Sequence, residues 1–333
     1  MDVKEADWTV RDFRFATGDA MPQLKLHYRT LGAPRIGADG EVENAVLLLH
    51  GTTGGGKQLL KPATADALFA PGAPLDAARY YVILPDGIGH GASSKPNDGM
   101  KARFPEYTYG DMVEAQHRLV TEHLGIKTLR LVGGTSMGGM HTWMWAEQYP
   151  DMMRALLPVA SVPGPVRGRN LLWRRILVDA IRRDPGYHGG DYEVQPDALG
   201  AAWNLFELMA GGTARFEEEL PDMETTDKHV READQTALAE QDANDVAYEF
   251  AASKDYDPSG KLDRIKAPLL AVNFADDELN PAELGVLDAA IKKVPGGRAV
   301  LVPRGPKSKG HQSLQVGELW APYVRELLGQ TER

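Results

Sequence analysis

The stretch LRLVGGTSMGGM at residues 129–140 decides the fold, because it joins an apolar run to a serine flanked by glycines. Its apolar start is typical of a buried parallel strand. The residues after it contain no helix breaker before Pro150, which favours a helix. The centre, GTSMG at 134–138, fits G-x-S-x-G. The pattern predicts a sharp strand–turn–helix elbow that holds the Ser136 hydroxyl at the carboxyl end of a sheet.

Composition and charge exclude several classes of function. The chain has 333 residues, is 43% hydrophobic and 25% charged, and carries a formal net charge of −10. This charge disfavours a nucleic-acid partner, and no apolar run approaches the ~20 residues of a membrane span. The absence of cysteine excludes disulfides, a thiol nucleophile and a cysteine-based zinc site. The polar start at residues 1–8 predicts a cytoplasmic protein, with a periplasmic or secreted protein that has lost its signal peptide as the alternative.

Apolar segments recur along the chain at intervals that suit alternating strands and helices. Residues 109–124 have the spacing of a helix, with apolar side chains on one side. Strands separated by helices indicate an α/β fold with a mostly parallel sheet and helices on both of its faces. The strands are predicted at residues 8–15 and 24–31, as edge strands, and at 44–50, 80–84, 155–160, 268–274 and 298–302.

Residues 162–245 break this alternation. They contain helical segments but no convincing strand. We predict that they form a helical cap, inserted between a first core segment at 1–161 and a second at 246–333. An insertion at the carboxyl end of such a sheet lies over the ligand crevice, so the cap should set substrate choice.

A nucleophilic serine needs a base within hydrogen-bond reach and a carboxylate that orients the base. For a serine on this kind of elbow, the acid and then the histidine follow later in the chain. Asp277 is favoured as the acid because the spacing Asp-x-x-x-Pro, from Asp277 to Pro281, suits the loop that carries the acid. Asp276 and Glu278 are the alternatives. If neither is the acid, we expect both to face solvent. His311 is the only histidine after Asp277, so it is the predicted base.

The oxyanion of the reaction needs two backbone N–H donors. Met137, directly after the nucleophile, supplies one, and we expect Thr52, in the loop after the strand at 44–50, to supply the other. His50 and His90 stand at strand ends near the site and should shape its loops. The glycines at 54–56 lack the ending of a phosphate-binding loop, and neither a His-Glu-x-x-His motif nor a calcium loop is present. No cofactor and no metal are therefore predicted.

Six stretches together make the chain similar to the homoserine O-acetyltransferase group of α/β-hydrolase-fold proteins, over nearly its full length. The resemblance implies the α/β-hydrolase fold, Ser136, Asp277 and His311 as a catalytic triad, and a homodimer formed through the cap. The stretches are Asp111-Met112-Val113-x-Ala115-Gln116, Gly134 to Met140, Tyr149-Pro150-Asp151, Asp184-Pro185, Gly189-Gly190-Asp191-Tyr192 and Asp242-Ala243-Asn244-Asp245.

Three departures from that group bear on the substrate. Residues 89–96 read GHGASSKP, where the group has a glycine-rich G-S-T-G-P loop. Gln312 follows the histidine where the group has an aspartate that helps hold the amino acid substrate. Val178 occupies the position of an arginine thought to bind the substrate carboxylate, although Arg174, Arg175, Arg182 and Arg183 are nearby. An apolar residue cannot bind a carboxylate, which argues against homoserine.

The sequence therefore predicts a serine esterase that cleaves small to medium carboxylic esters through an acyl-enzyme. Its partner is a small-molecule ester, with neither nucleic acid nor membrane involved. The alternative is an acyl-CoA-dependent O-acyltransferase, in which a bound acceptor replaces water. The basic side chains considered for binding CoA are Lys57, Arg167, Arg169 and Lys309. A non-catalytic binding protein on the same fold is a third possibility, because a fold does not by itself imply a function.

Overall fold

The structure is a computed structural model that describes residues 1–331. Within these residues the strands form one eight-stranded sheet, and helices fill most of the connections. The strands are β1 (Val3–Arg14), β2 (Ala20–Leu31), β3 (Ala45–Leu49), β4 (Tyr81–Pro85), β5 (Leu131–Thr135), β6 (Leu156–Val159), β7 (Leu270–Phe274) and β8 (Arg298–Val302). The α-helices are α1 (Pro62–Phe69), α2 (Tyr109–Arg118), α3 (Met137–Gln148), α4 (Gly168–Arg183), α5 (Ala198–Ala210), α6 (Thr213–Glu219), α7 (Met223–Glu240), α8 (Ala243–Ala251), α9 (Val286–Ile291) and α10 (Ala321–Gln330).

The sheet is antiparallel at one edge and parallel elsewhere. Its strand order is β1-β2-β4-β3-β5-β6-β7-β8. Strand β1 pairs antiparallel with β2, and β2 pairs antiparallel with β4, whereas the pairs from β4 to β8 are parallel. The carboxyl ends of the parallel strands therefore meet at one edge of the sheet, where residues from different parts of the chain can form a common site. This architecture confirms the predicted α/β-hydrolase fold.

Two apolar layers cover the two faces of the sheet. Strands β3 and β5 are buried along their whole length, as expected for central parallel strands. One layer contains Trp143 and Trp145 of α3, and the other contains Phe69 of α1 and Trp320 just before α10. The helices thus lie on both faces, and the sheet positions the loops at its carboxyl edge.

Several element ends differ from those predicted. The first two strands start earlier, at Val3 and Ala20, because exposed polar side chains near their starts hide the alternating pattern. The prediction that both are edge strands is right for β1 and wrong for β2, which pairs with β1 on one side and with β4 on the other. The helix predicted over 109–124 ends as an α-helix at Arg118 and continues as a π-helical turn over Leu119–His123. In that turn the Thr121 hydroxyl donates to the His117 carbonyl at 2.8 Å, an interaction that commonly bends helices.

Helices α4 to α8, here called the inserted helices, lie between β6 and β7 in the chain. They have an apolar cluster of their own, which includes Trp173, Leu177 and Phe250 and which Leu279 joins from the loop after β7. The last of these helices extends to Ala251, beyond residue 245, so the boundaries of the cap stay a prediction. Among residues 1–331, no helix combines the length and the apolar character needed to cross a bilayer.

Candidate active site

Ser136 lies on a strained turn between β5 and α3. Its backbone has φ 54° and ψ −115°, a region that non-glycine residues rarely adopt and that is often found at functional sites. The flanking glycines make the turn possible. A Cβ at Gly138 would overlap the carbonyl of Leu49 in β3, and a Cβ at Gly134 would overlap the backbone of Gly138. The elbow predicted from the sequence is therefore present, with the serine at the carboxyl edge of the sheet.

His311 bridges Ser136 and Asp277. Its Nε2 lies 2.7 Å from Ser136 Oγ, and its Nδ1 lies 2.8 Å from Asp277 Oδ2. Both His311 and Asp277 are buried, at 4% and 2% exposure. Because Asp277 accepts at Nδ1, that nitrogen carries a proton and Nε2 is free to accept the proton of the serine hydroxyl. The structure thus brings together the three residues that the sequence placed in one constellation.

The loop after β7 surrounds Asp277 with donors. Its Oδ1 accepts from the N–H groups of Leu279 at 2.8 Å and Asn280 at 3.2 Å, and its Oδ2 accepts from Asn280 Nδ2 at 3.0 Å. Burial acts to raise the pKa of Asp277, but the nearby His311 and these hydrogen bonds outweigh it and hold the pKa below its ordinary value. Asp277 therefore stays ionised, as a group that must stabilise a positive imidazolium needs to be.

The neighbouring acids hold other elements and do not contact His311. Asp276 Oδ2 accepts from the N–H of Gly310 at 2.8 Å, next to His311. Glu278 accepts from Arg169 Nη2 at 2.7 Å and from the Thr213 hydroxyl, both on the inserted helices. The expectation that the two acids face solvent is thus wrong: both are half-buried, and each has a specific partner.

The Ser136 pocket is narrow and opens into a wider groove. The pocket has a volume of about 20 Å³, which is room for one or two water-sized groups. Thr52 lies in its wall, and Met137 is the first residue of α3, so both predicted oxyanion donors are next to the serine. The groove has a volume of about 1020 Å³ and shares Thr53, Gln58, Phe206 and Gln312 with the pocket.

Basic side chains line the groove, and one buried cation lines the pocket. Lys57 and Lys309, two of the residues considered for CoA, lie in the groove with Lys61 and Arg215. Arg167 and Arg169 do not line it, and Arg169 is paired with Glu278. Arg174, on α4, is buried in the pocket wall beside Ser136.

Arg174 has an unusual environment for a charged residue. Its guanidinium lies over the rings of Trp173 and Phe250, with its carbon 5.0 Å and 5.7 Å from the ring centres. Its Nε donates to Asn170 Oδ1 at 3.0 Å, but its buried Nη1 has no hydrogen-bond partner of ordinary geometry. A buried N–H without a hydrogen bond is costly, and the nearby Tyr109 hydroxyl, which also lacks a partner of ordinary geometry, interacts with this guanidinium.

Sequence reasoning missed two residues of the site and named a third, Arg174, only as one of four arginines near position 178. Asn280 holds both Asp277 and the Ala160 carbonyl, Gln58 accepts from the Gly51 N–H at 2.9 Å, and Arg174 lines the pocket. Only Asn280 had a local signal, its position three residues after the acid. Within residues 1–331 no group of three or more His, Asp or Glu side chains is arranged to hold a metal ion.

Comparisons with known proteins agree with this fold. The family model described as "alpha/beta hydrolase fold" matches residues 44–302. A probable acyltransferase of Methanothermobacter thermautotrophicus is 30% identical over 87% of this chain and 88% of its own length. A homoserine O-acetyltransferase of Thermobifida fusca is 34% identical over 61% of this chain and 57% of its own length. The solved structure of the acetyl esterase MekB superposes with a TM-score of 0.85 at 25% identity, over 98% of this chain and 97% of that one. The chain therefore belongs to the α/β-hydrolase fold family, and its relatives include a probable acyltransferase and homoserine O-acetyltransferases.

Proposed function

We propose that the protein is a serine esterase that cleaves short-chain carboxylic esters. The observation that carries the proposal is the hydrogen-bonded series Ser136–His311–Asp277 at the base of a narrow pocket. A serine hydroxyl is a weak nucleophile at neutral pH, and an adjacent imidazole that accepts its proton makes it reactive. The superposition on an acetyl esterase supports the same activity.

The contacts support a role for each residue. His311 Nε2 takes the Ser136 proton as Oγ attacks the ester carbonyl, and Asp277 stabilises the resulting imidazolium. The N–H groups of Thr52 and Met137 stabilise the oxyanion of the tetrahedral intermediate. His311 then protonates the leaving alcohol, and the acyl group stays on Oγ. Water, deprotonated by His311, attacks the acyl-enzyme, releases the carboxylic acid and restores Ser136.

The size of the pocket supports a short acyl group. A volume of about 20 Å³ suits an acetyl group better than a long chain. Aromatic side chains of the inserted helices, namely Trp173, Phe206 and Phe250, form much of its wall. The alcohol part of the ester would extend into the adjoining groove.

Acyl transfer is the second candidate, and two observations favour it. Curated relatives of the chain are acyltransferases. The groove also carries Lys57, Lys61, Arg215 and Lys309, which suit the phosphates of an acyl-CoA, and the cation of Arg174 lies in the wall of the Ser136 pocket. The chemistry up to the acyl-enzyme would be the same, and the second nucleophile would be the acceptor alcohol in place of water.

The test is the fate of the acyl-enzyme. Wild type and Ser136→Ala are incubated with p-nitrophenyl acetate and with acetyl-CoA, each with and without homoserine. We expect steady ester turnover that homoserine does not alter, no CoA release, and a loss of about 10⁴–10⁶ in kcat for Ser136→Ala. Release of CoA that depends on homoserine would instead establish the transferase. Failure of a fluorophosphonate to label Ser136 would favour a non-catalytic binding protein.

A homodimer through residues 162–245 and a cytoplasmic location stay predictions. Exposed apolar side chains on the inserted helices, such as Leu172, Ile176 and Leu208, support the dimer, because isolated monomers rarely keep large apolar patches in water.

A further inference from the structure

The direction of the Thr52 N–H depends on the carbonyl of the residue before it. This N–H belongs to the peptide that joins Gly51 to Thr52, and a trans peptide is planar, with its N–H and C=O pointing in opposite directions. A group that holds the Gly51 carbonyl therefore also sets the Thr52 N–H. His50 is that group, because its Nδ1 lies 2.8 Å from the Gly51 carbonyl oxygen.

The surroundings of His50 define which of its nitrogens donates. The N–H of Gly87 donates to His50 Nε2 at 2.9 Å, so Nε2 carries no proton and Nδ1–H is the donor to Gly51. Burial lowers the pKa of His50, which keeps the ring neutral and in this tautomer.

A second buried histidine holds the next peptide. His90 Nε2 lies 2.6 Å from the Thr52 carbonyl oxygen, and its Nδ1 lies 2.8 Å from the Ile88 carbonyl oxygen. Burial lowers the pKa of His90 to about 3, so the neutral ring donates to one of these carbonyls, and we assign the donor to Nε2, which makes the shorter contact. The ring centre of His90 is 5.0 Å from that of His50. Gln58 accepts from the Gly51 N–H at 2.9 Å on the other side. Two consecutive peptides of the loop, 51–52 and 52–53, are thus each held by an imidazole within the core.

The second histidine also faces one of the inserted helices. Glu249 Oε1, on α8, lies 3.7 Å from His90 Nε2. The same helix contacts the loop after β4 again, where Asp245 accepts from the Asn97 N–H at 2.9 Å and pairs with Lys95 at 3.3 Å. Helix α8 is therefore connected to the segment that carries His90.

We propose that His50 and His90 are positioning residues that orient the Thr52 N–H toward the oxyanion formed at Ser136, and that Glu249 connects this loop to α8. The proposal rests on the proposed function, since it needs an oxyanion at that place. Neither histidine contacts the reacting atoms. Each acts through a backbone carbonyl that it holds.

Paired substitutions separate positioning from packing. His50→Leu removes the donor, whereas His50→Asn places an amide N–H near the position of Nδ1. For His90, whose donor is Nε2, the pair is His90→Leu and His90→Gln. His141→Asn is the control, because His141 is also buried but contacts Gln116 and lies outside the loop. Thermal unfolding of each variant shows whether it is folded.

The readouts are steady-state hydrolysis of p-nitrophenyl acetate and inhibition by methylboronic acid. The boronic acid forms a tetrahedral adduct on the serine with an oxygen at the oxyanion position. Removal of one oxyanion donor costs about 10²–10³ in kcat, so we expect His50→Leu to lose about 10²-fold in kcat with little change in KM. Its affinity for the boronic acid should fall in parallel. His50→Asn should recover most of the lost kcat and most of the lost boronic acid affinity. His90→Leu should likewise lose more than His90→Gln, with both losses smaller than those at His50. The control, His141→Asn, should match wild type in kcat and in boronic acid affinity. Glu249→Gln should show a smaller loss of kcat than His90→Leu, again without a change in KM.

Three outcomes would overturn the proposal. These are equal losses in the Leu and Asn variants of His50, a rise in KM with kcat unchanged, and an unchanged boronic acid affinity where kcat has fallen. A wild type that hydrolyses no ester would refute the proposed function alone. The boronic acid affinities of wild type and variants would then still test the orientation of the Thr52 N–H.

Discussion

Asp277 accepts four hydrogen bonds, and together they leave His311 one usable tautomer. Oδ1 receives the N–H groups of Leu279 and Asn280, while Oδ2 receives Asn280 Nδ2 and His311 Nδ1. An amide in place of the carboxylate has one acceptor oxygen, and the two backbone donors would hold that oxygen at the Oδ1 position. Its NH₂ group would then face His311 Nδ1.

Asp277→Asn should therefore fold but lose activity. The amide would favour the tautomer with the proton on Nε2, which cannot accept from Ser136, so kcat should fall by about 10³–10⁴. The measurement is steady-state hydrolysis of p-nitrophenyl acetate, with circular dichroism as the check on folding. Asp276→Asn is the matched control and should lose far less, because its amide oxygen can still accept from Gly310. Equal losses in both variants would contradict the assigned acid.

The elbow between β5 and α3 depends on a close approach of the helix to the sheet. Gly138→Ala should destabilise the protein by about 1–3 kcal/mol, because its Cβ would overlap the Leu49 backbone, which cannot turn aside. Gly329→Ala in α10 is the control, since nothing lies near its Cβ, and it should be stabilising by about 0.5–1 kcal/mol. Urea unfolding measures the change in the free energy of unfolding for both variants. If Gly138→Ala left this free energy unchanged, the helix would be able to shift away from the sheet at little cost.

Local sequence patterns predicted most of the elements around the site. The elbow at 134–138 was predictable because its glycines, serine and apolar strand stand next to one another. The first two strands were only partly predictable, because β1 exposes most of its side chains and so lacks a clear apolar pattern. The π turn at Leu119–His123, in which the Thr121 hydroxyl donates to the His117 carbonyl, has no clear sequence signal.

Contacts between distant residues could not be predicted. His50 and His90 were expected to shape the loops, but the carbonyls that they hold were unknown. Glu249 reaches His90 from α8, and the role of Arg174 depends on how α4 packs over the sheet. Such pairings follow from tertiary packing, to which a single sequence gives little access. The triad was an exception, because chain order limited the acid to one loop and the base to one histidine.

At the scale of the whole molecule, Asp245 links stability to pH where α8 meets the loop after β4. Burial raises the pKa of Asp245 from 3.8 to about 6. Its contribution to stability is therefore fully present below about pH 4 and is lost as the pH rises through 6. From the size of the shift, this loss is about 3 kcal/mol, or less if the buried carboxylate is partly solvated.

Asp245→Asn should remove this dependence, because the amide stays neutral and can still accept from Asn97. The free energy of unfolding of the variant, relative to wild type, should therefore rise between pH 4 and pH 7. Urea unfolding across this range measures it. Asp263→Asn removes an exposed carboxylate and is the control for net charge. A difference that is constant with pH would contradict the raised pKa.

The three acids after β7 make this loop intolerant of a change in length. Asp276 holds the histidine loop, Asp277 holds the imidazole, and Glu278 holds α4 and α6. Surface loops generally accept insertions. Here a single residue added before Asp276 would shift each carboxylate by one position and give it the wrong partner. A library of loop variants should accordingly yield active clones with substitutions at many positions but none with an altered number of residues between Phe274 and Asn280.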